Sequence, residues 1–334
     1  MFDFHVIPGH VIKTLLDENA ASVIASVQNA YLAHHQGATV NPDSYFLRYP
    51  DNPANRIIAL PATINADVNV SGIKWIASFP KNIEQGIPRA SAVLVLNDHQ
   101  TGYPFALLEC ALISAARTAA SAVLGAYWLN HNTRSVKQLS IIGAGVIART
   151  ILDTFVTDGW QIGEVLVHDT HPASASALMN HARDRHQLKA STVALDAALS
   201  SQVVVFATNA GTPYVSEPGA FRPGQVILNI SLRDIGPDLI ESAKNIFDDV
   251  DHCMKANTSP HLAELKFGHR QFVTGTLAQL IQGEIELDRS KPLIFSPFGM
   301  GMLDLALGKT LYDKAIAQGT AVAVPNFFGE TTRW

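Results

Sequence analysis

One segment constrains the fold of this 334-residue chain more than any other. The strand-like run Leu139-Ser-Ile-Ile142 passes directly into Gly143-Ala-Gly-Val-Ile-Ala148 and then into a stretch with helical periodicity. In such a motif the first glycine permits a tight turn, the second lets the backbone approach a pyrophosphate, and the small Ala148 allows close helix–strand packing. Free N–H groups at the helix start favour phosphate charge. The segment therefore predicts a dinucleotide site that includes Gly143, Ala144, Gly145, Val146 and Ile147.

The next apolar run ends at Asp169. An acidic residue there is placed to accept hydrogen bonds from ribose hydroxyls, and it would repel the 2′-phosphate of NADP. His168 and His171 flank it, and a protonated histidine would weaken that repulsion. We expect NAD as the cofactor.

Strand and helix patterns alternate after residue 135, as they do in a parallel sheet covered on both faces. About six strands are expected, so the fold class is α/β with a Rossmann, doubly wound parallel sheet. Thr208 and Asn209 follow one of these strands, at the sheet edge where ligands bind, and are expected to contact the cofactor.

The first 130 residues instead combine short β-rich runs with a helix expected at residues 18–36. A long buried helix is expected over residues 104–130, with Pro104 in its first turn, because Glu109 and Arg117 interrupt what would otherwise resemble a membrane span. Another helical stretch, residues 301–318, precedes an apolar tail that is expected to return to the first domain. We expect a discontinuous α+β domain of residues 1–130 and 305–334, and a dinucleotide domain of residues 131–304.

Several cations of the first domain stand in apolar surroundings, where an unpaired charge costs several kcal/mol. They are Arg48, Arg56, Lys74, Arg89 and Arg117. Each must be paired with an acid in the fold or await an anionic ligand. Glu109 is too distant along the helix to pair with Arg117 at i,i+4 spacing. As a set, these cations suit a substrate with several carboxylates.

Composition excludes several classes of protein. The net charge is −5, from 24 basic and 29 acidic residues, so no basic surface for nucleic acid is expected. Two cysteines cannot build a disulfide framework, and no cysteine or histidine spacing is typical of a metal site. The first residues lack the pattern of a signal peptide. We expect a cytoplasmic enzyme without nucleic-acid, membrane or metal partners.

With these residues in view, the chain resembles the ornithine cyclodeaminase/mu-crystallin family over nearly its whole length. The motifs that carry the resemblance are Gly72-Ile-Lys-Trp75, Thr101-Gly-Tyr-Pro104, the run Leu112-Ile-Ser-Ala-Ala-Arg-Thr-Ala-Ala-Ser121, and Ile141-Ile-Gly-Ala-Gly145. The resemblance implies homodimers, a substrate-binding and dimerisation domain built from both chain ends, and an NAD-binding Rossmann domain between them.

The resemblance also implies roles for individual residues. Lys74, Arg117 and Arg48 would hold the α-carboxylate of the substrate, and Lys74 would also take part in catalysis. Asp234 matches the family's water-activating aspartate, although Leu232 and Arg233 replace the glycines that usually precede it. Asp234 could alternatively pair with Arg233 or cap a helix.

Within the family, a subgroup that releases L-2,3-diaminopropionate in siderophore biosynthesis is the most similar. The runs that carry this second resemblance are residues 55–61, 71–76, 89–91, 229–231 and 297–302. It implies oxidation of an amino-acid conjugate by NAD and hydrolysis of the imine to 2,3-diaminopropionate and 2-oxoglutarate. Arg89, where simpler members have an uncharged residue, would hold an additional carboxylate. Ser231 and Met300 would contact the cofactor, while Asp304 would either act directly or stabilise the start of its helix.

Three alternatives stay open on the sequence alone. A simple amino-acid or imine dehydrogenase would make Arg89 incidental. An ornithine cyclodeaminase would accumulate no net NADH. A mu-crystallin-like binding protein would keep residues 143–148 without turnover.

Overall fold

A computed structural model describes residues 3–333, and these form two compact units. The terminal unit comprises the chain through Arg117 and again from Met300, and the central unit is Thr118–Gly299. The sequence analysis placed the boundaries later, at residues 130 and 304. The first boundary is hard to place from sequence because one continuous helix, Ala111–Leu129, runs across it. The binding roles of the two domains stay predictions.

The terminal unit starts with two helices and then becomes a sheet. Its elements, in chain order, are β1 (His5–Ile7), α1 (Gly9–Glu18), α2 (Ala20–His35), β2 (Thr39–Val40), β3 (Tyr45–Arg48), β4 (Arg56–Ile64), β5 (Val70–Ser78), a 3₁₀ turn (Pro80–Gln85), β6 (Ala90–Asp98), β7 (Pro104–Glu109) and α3 (Ala111–Leu129).

The central unit alternates strands and helices. It consists of β8 (Ser135–Ile142), α4 (Val146–Thr157), β9 (Gln161–His168), α5 (Pro172–His186), β10 (Ala190–Thr192), α6 (Leu195–Leu199), β11 (Val203–Phe206), β12 (Val226–Asn229), α7 (Pro237–Ser242), β13 (Lys244–Phe247), α8 (Val250–Cys253), α9 (Ser259–Phe267), β14 (Val273–Thr276), α10 (Leu277–Gln282) and β15 (Leu293–Ser296). The chain then returns to the terminal unit as α11 (Gly301–Ala317) and β16 (Val322–Ala323).

The expected helix over residues 104–130 is wrong over its first quarter. Residues 104–109 are strand β7, which lies between β1 and β6, and Pro104 stands at the first position of that strand. Helix α3 begins only after Glu109, whose carboxylate accepts hydrogen bonds from the N–H groups of Ala111 and Leu112 at 2.7 and 3.3 Å. That carboxylate satisfies donors that a helix start leaves unpaired.

The helix expected over residues 18–36 is confirmed as α2, Ala20–His35, and a helix that the sequence analysis did not predict, α1, precedes it. Helix α1 ends at Glu18, and Asn19 separates it from α2. The Asn19 side-chain amide donates to the carbonyl oxygen of Leu15 at 2.7 Å, so a side chain takes up a carbonyl at the end of α1. Residues 3–333 contain no helix with the length and hydropathy of a membrane span.

The central unit is the expected doubly wound parallel sheet, but it has eight strands rather than about six. Their order is β10-β9-β8-β11-β12-β15-β13-β14. The sequence analysis missed β14 and β15. Strand β14 has the sequence Val-Thr-Gly-Thr and lacks the apolar run that is typical of a buried strand. The winding direction changes between β8 and β11, and in open α/β sheets a ligand binds beyond the carboxyl ends of the strands at such a point.

The sheet of the terminal unit is mixed, and its two faces differ. Helix α11 covers one face: a side chain at Gly308 would collide with Leu94, and one at Gly72 would collide with Leu305. The other face carries exposed apolar side chains, since Tyr45, Trp75 and Val93 are 71%, 42% and 38% exposed and stand in one cross-strand row. The return of the tail is confirmed, because β16 pairs with β1.

Candidate functional site

The glycine turn lies at the switch point of the central sheet. Gly143 follows β8 with a φ of +92°, and a Cβ at this position would lie 2.5 Å from the carbonyl oxygen of Ala207, which follows β11. Only glycine therefore fits where the two strand ends meet. At Gly145 a Cβ would meet nothing within 4 Å, so open space faces the start of α4.

The start of α4 is suited to a diphosphate. Gly145 is its N-cap residue and supplies no side-chain cap, and the first turn contains no acidic residue. Val146 is 58% exposed beside these N–H groups. Uncapped N–H groups and the helix dipole favour an anion at this position.

Asp169 stands beside the glycine turn. Its Oδ2 accepts a hydrogen bond from the N–H of Ala144 at 2.7 Å, and its Oδ1 accepts one from the N–H of His171 at 2.7 Å. His168 is engaged elsewhere, since its Nδ1 lies 3.0 Å from the carbonyl oxygen of Val193. The carboxylate is thus fixed at the end of β9, where a ribose would meet it, and the residues of this edge fit a dinucleotide without a 2′-phosphate.

Asp234 is the centre of a hydroxyl cluster at the same edge of the sheet. Its Oδ1 accepts hydrogen bonds from Thr208 Oγ1 at 2.5 Å and from Tyr214 Oη at 3.0 Å, and its Oδ2 accepts one from Ser231 Oγ. Asp234 is fully buried, whereas Tyr214 is 42% exposed. Burial, followed by the negative charge of Asp234, raises the pKa of Tyr214, so this phenol keeps its proton.

The loop before Asp234 shows how the chain accommodates the replaced glycines. Leu232 adopts φ +78°, a conformation that favours glycine, and its carbonyl oxygen accepts a hydrogen bond from Ser259 at 2.7 Å. Arg233 donates to the carbonyl oxygens of Ala256 and Asn257. Among the described residues Asp234 therefore receives hydroxyl groups rather than the Arg233 guanidinium.

Three charged residues meet in the terminal unit. Lys74 Nζ lies 2.6 Å from Asp304 Oδ2, and Arg117 Nε lies 3.1 Å from Asp304 Oδ1. Ser114 Oγ accepts a further hydrogen bond from Lys74 at 3.3 Å. Asp304 is fully buried in the first turn of α11, and the two cations are almost fully buried. The cluster carries one net positive charge, which is suited to a carboxylate ligand.

The two cations of this cluster respond differently to their surroundings. Burial, followed by the charge of Arg117, lowers the pKa of Lys74, although Asp304 opposes the change. Burial alone would lower the pKa of Arg117 too, but Asp304 raises it above the ordinary value. Lys74 is therefore the cation of the pair that loses its proton first.

Further cations stand on the face of the terminal sheet that carries Lys74. Arg48 on β3, Arg56 on β4 and Ser78 on β5 are cross-strand neighbours, and Ser78 shares the face of Lys74 four residues away. Arg89 Nε donates to Ser78 Oγ at 3.2 Å. Arg89 is half-buried, which lowers its pKa, and it pairs with no carboxylate among residues 3–333. Arg48 lies 5.0 Å from the ring centroid of Phe46.

The other residues that are expected to contact the cofactor lie in different units of the chain. Thr208 and Ser231 both belong to the Asp234 cluster, and Asn209 is exposed in the same loop. Met300 is fully buried and caps α11 in the terminal unit. Sequence analysis missed Tyr214 and did not connect Asp304 with the cations, because 230 positions separate Asp304 from Lys74.

Comparisons with known sequences agree with this organisation. A model of the ornithine cyclodeaminase/mu-crystallin family matches residues 11–319. N-((2S)-2-amino-2-carboxyethyl)-L-glutamate dehydrogenase of Staphylococcus aureus is 31% identical over 307 residues, which are 88% of this chain and 90% of that protein.

Solved structures share the fold over nearly all of the chain. Thermococcus litoralis Δ(1)-pyrroline-2-carboxylate reductase, in complex with NADH and L-proline, has a TM-score of 0.86 and 24% identity, and the likeness covers 96% of this chain and 99% of that one. An archaeal alanine dehydrogenase dimer with bound NAD has a TM-score of 0.87 and 22% identity, with 98% and 100% covered. These likenesses confirm the α/β fold.

Proposed function

Because this chain belongs to the ornithine cyclodeaminase/mu-crystallin family, we propose that it acts on N-((2S)-2-amino-2-carboxyethyl)-L-glutamate. The chain is an oxidoreductase, and NAD is its cofactor. The products are L-2,3-diaminopropionate and 2-oxoglutarate, and the former serves the biosynthesis of a siderophore or another secondary metabolite.

The proposed reaction balances with one NAD and one water. The glutamate α-carbon of the conjugate loses a hydride and its nitrogen loses a proton, which gives a carbon–nitrogen double bond. Water adds to that carbon, and the carbon–nitrogen bond then breaks to leave a keto acid and an amine. NAD, when bound, supplies the hydride acceptor. The balance is one NADH and one proton for each 2-oxoglutarate and diaminopropionate.

The observation that carries the proposal is the excess of cations over carboxylates in one buried cluster of the terminal unit, where Lys74 and Arg117 share Asp304. The conjugate has three carboxylates. Lys74 and Arg117 share a single carboxylate partner, Asp304, and retain one net positive charge for the α-carboxylate. Arg89 is half-buried and, among residues 3–333, bonds only to a hydroxyl group, so a further carboxylate would satisfy its guanidinium.

The placement of Arg89 suits a second carboxylate of the same ligand. Ser78, to which it donates, is four residues from Lys74 on one strand, or about 13 Å along the strand at 3.3 Å per residue. The side chains of Lys74 and Arg89 are long, so their charged groups can lie closer together than this distance along the strand. Arg48, on the same face, is the third cation proposed to hold the substrate.

Asp234 is proposed to supply the base for the nitrogen proton and for the water. Because its carboxylate is fully buried, proton transfer would pass through a hydroxyl of the cluster. Tyr214 is the suitable one, since it is partly exposed, donates to Asp234, and keeps its proton through a raised pKa. Thr208 and Ser231 orient the carboxylate.

The protein is further proposed to be a homodimer. The uncovered face of the terminal sheet carries Tyr45, Leu47, Trp75 and Val93, all more than a third exposed. Contiguous exposed apolar surface of this kind is typical of an interface. A second copy of the same face would cover it through a two-fold axis. Light scattering that reports a single chain mass at micromolar concentration would contradict the dimer.

The experiment that tests the proposed function compares three substrates. The purified protein is mixed with NAD and the conjugate, L-ornithine or L-alanine, and NADH is followed by absorbance. We expect NADH from the conjugate alone. Proline from ornithine without NADH would indicate a cyclodeaminase, and NADH from alanine would indicate a simple amino-acid dehydrogenase, so either result contradicts the proposal.

A further inference from the structure

A group of two histidines and one aspartate in the central unit takes no part in the proposed reaction. Its members are Asp153 on α4 and His181 and His186 on α5. The sequence analysis predicted no metal site, although His181 and His186 are five positions apart, a spacing that zinc ligands can have, and the aspartate is far upstream. The packing of α4 against α5 brings the three side chains together.

The three side chains converge on one point. His181 Nε2 lies 2.6 Å from Asp153 Oδ1, and His186 Nε2 lies 2.5 Å from the same oxygen. The two imidazole rings are 5.2 Å apart and nearly perpendicular. Each histidine thus directs the same ring nitrogen at one carboxylate oxygen, and the three candidate ligand atoms lie close enough together to share one metal ion.

The other polar atoms of these three side chains are also compatible with binding of a metal ion. Neither Nδ1 nor Asp153 Oδ2 makes a hydrogen bond to another described residue. Each imidazole can therefore carry its proton on Nδ1 and present the Nε2 lone pair. The three side chains are 12–36% exposed, so an ion can enter from solvent.

The distances agree with a metal site after a small adjustment. Zinc–nitrogen and zinc–oxygen bonds of about 2.0–2.1 Å place neighbouring ligand atoms of a tetrahedral shell about 3.3 Å apart. The nitrogen–oxygen pairs would have to separate by about 0.7 Å, which small side-chain rotations allow. Among the described residues Arg183 does not compete for the Asp153 carboxylate, because its guanidinium bonds to the carbonyl oxygen of Ala190.

We propose that Asp153, His181 and His186 bind one divalent ion of the zinc class, with water as the fourth ligand. All three stand in the second half of their helices, whereas the glycine turn precedes the first residue of α4. Asp153 is seven residues from that start, or about 10 Å along the helix axis. The ion therefore clamps α4 to α5 and is separate from the cofactor chemistry.

The test is a calorimetric titration of tag-free, chelator-treated full-length protein with Zn²⁺, with Co²⁺ as a spectroscopic probe. We expect one ion per chain, visible Co²⁺ absorption, and a higher melting temperature with Zn²⁺. His181→Ala and Asp153→Asn should each weaken Zn²⁺ binding by about 10-fold or more. The control is His171→Ala, because His171 is an exposed histidine before the same helix, and it should bind as the wild type does.

Asp153→Asn keeps the shape of the side chain, and NAD binding reports that each variant is folded. Wild-type protein that binds no Zn²⁺, or folded Asp153→Asn that binds it with unchanged affinity, would overturn the proposal. Either result would leave the proposed dehydrogenase reaction unaffected, since that reaction uses none of the three residues.

Discussion

Lys74 Nζ lies 2.6 Å from Asp304 Oδ2, although the two residues are 230 positions apart. Helix α11 brings the aspartate onto the sheet face that carries the lysine, and Arg117 donates to the other carboxylate oxygen at 3.1 Å. One carboxylate therefore serves two buried cations. The cluster retains a positive charge, and this charge is what makes it suitable for an acidic substrate.

Replacing Asp304 with asparagine should strongly destabilise the protein. The variant would leave two buried cations without a carboxylate, and breaking such a buried pair costs about 3–5 kcal/mol. The free energy of unfolding, measured in urea, reports the loss. Asp313→Asn is the control, because Asp313 is 56% exposed in its pair with Lys309 and should change stability by less than about 1 kcal/mol. Equal effects of the two substitutions would contradict a buried charge cluster.

The central unit was largely predictable because the residues that are proposed to bind the cofactor follow strands directly. Gly143, Asp169 and Thr208 each stand just beyond a strand end, so local pattern and the parallel sheet rule were enough to group them. Strands β14 and β15 were the exceptions. Strand β14, Val273-Thr-Gly-Thr276, has a single apolar residue and therefore lacks the apolar run of a buried strand.

The charge cluster and the metal-binding group were not predictable in the same way. Asp304 reaches Lys74 only through the packing of α11 on the terminal sheet, and Asp153 reaches His181 only through the packing of α4 on α5. Sequence spacing carries no information on such tertiary contacts. Strand β7 was mistaken for helix because its apolar residues continue without a break into α3.

Asp234→Asn should reduce turnover far more than NAD binding. Loss of a positioned base lowers the rate by roughly 10²–10⁴-fold, while the glycine turn that is proposed to hold NAD stays intact. Tyr214→Phe should lower turnover in the same direction, because the phenol hydroxyl links the buried carboxylate to its surroundings. Steady-state kinetics and NAD titration separate the two effects. Asp238→Asn, at an exposed carboxylate bound to Lys266, is the control. Equal losses in turnover and NAD affinity would contradict the proposal that Asp234 is the base.

Substrate binding should weaken at alkaline pH in a way that depends on Lys74. Burial and the charge of Arg117 lower the pKa of Lys74, so its ammonium group loses its proton at a pH below the ordinary value of 10.5. KM for the conjugate should rise as the pH passes through this lowered pKa. Lys74→Arg, which stays protonated, should lack this rise. Profiles of log(kcat/KM) against pH check the prediction, and identical alkaline limbs would contradict it.

The lowered pKa of Lys74 also makes stability depend on pH. Alkaline pH weakens substrate binding, but it raises the free energy of unfolding. Between the lowered pKa and 10.5 the native state binds fewer protons than the unfolded state. The contribution of Lys74 to the free energy of unfolding therefore rises with pH over that interval, and is lost as the pH falls through the lowered pKa.

Arg89→Gln should selectively weaken binding of the conjugate. A guanidinium bond to a carboxylate contributes about 1.5–3 kcal/mol, so kcat/KM should fall by about 10–100-fold. Analogues of the conjugate that each have one carboxylate replaced by an amide complete a double-mutant cycle. One analogue should be nearly insensitive to Arg89→Gln, and that analogue identifies the bound carboxylate. Arg134→Gln is the control, because Arg134 forms a partly exposed pair with Asp158 in the central unit, and it should leave kcat/KM unchanged. Equal sensitivity of every analogue would show that Arg89 is structural.

The ratio of products tests the central claim most directly. Purified protein is incubated with NAD and N-((2S)-2-amino-2-carboxyethyl)-L-glutamate, NADH is measured by absorbance, and both amino-acid-derived products are measured by mass spectrometry. The proposed reaction predicts NADH, 2-oxoglutarate and L-2,3-diaminopropionate in equal amounts at every time point. No NADH from the conjugate, or NADH without 2-oxoglutarate, would contradict it.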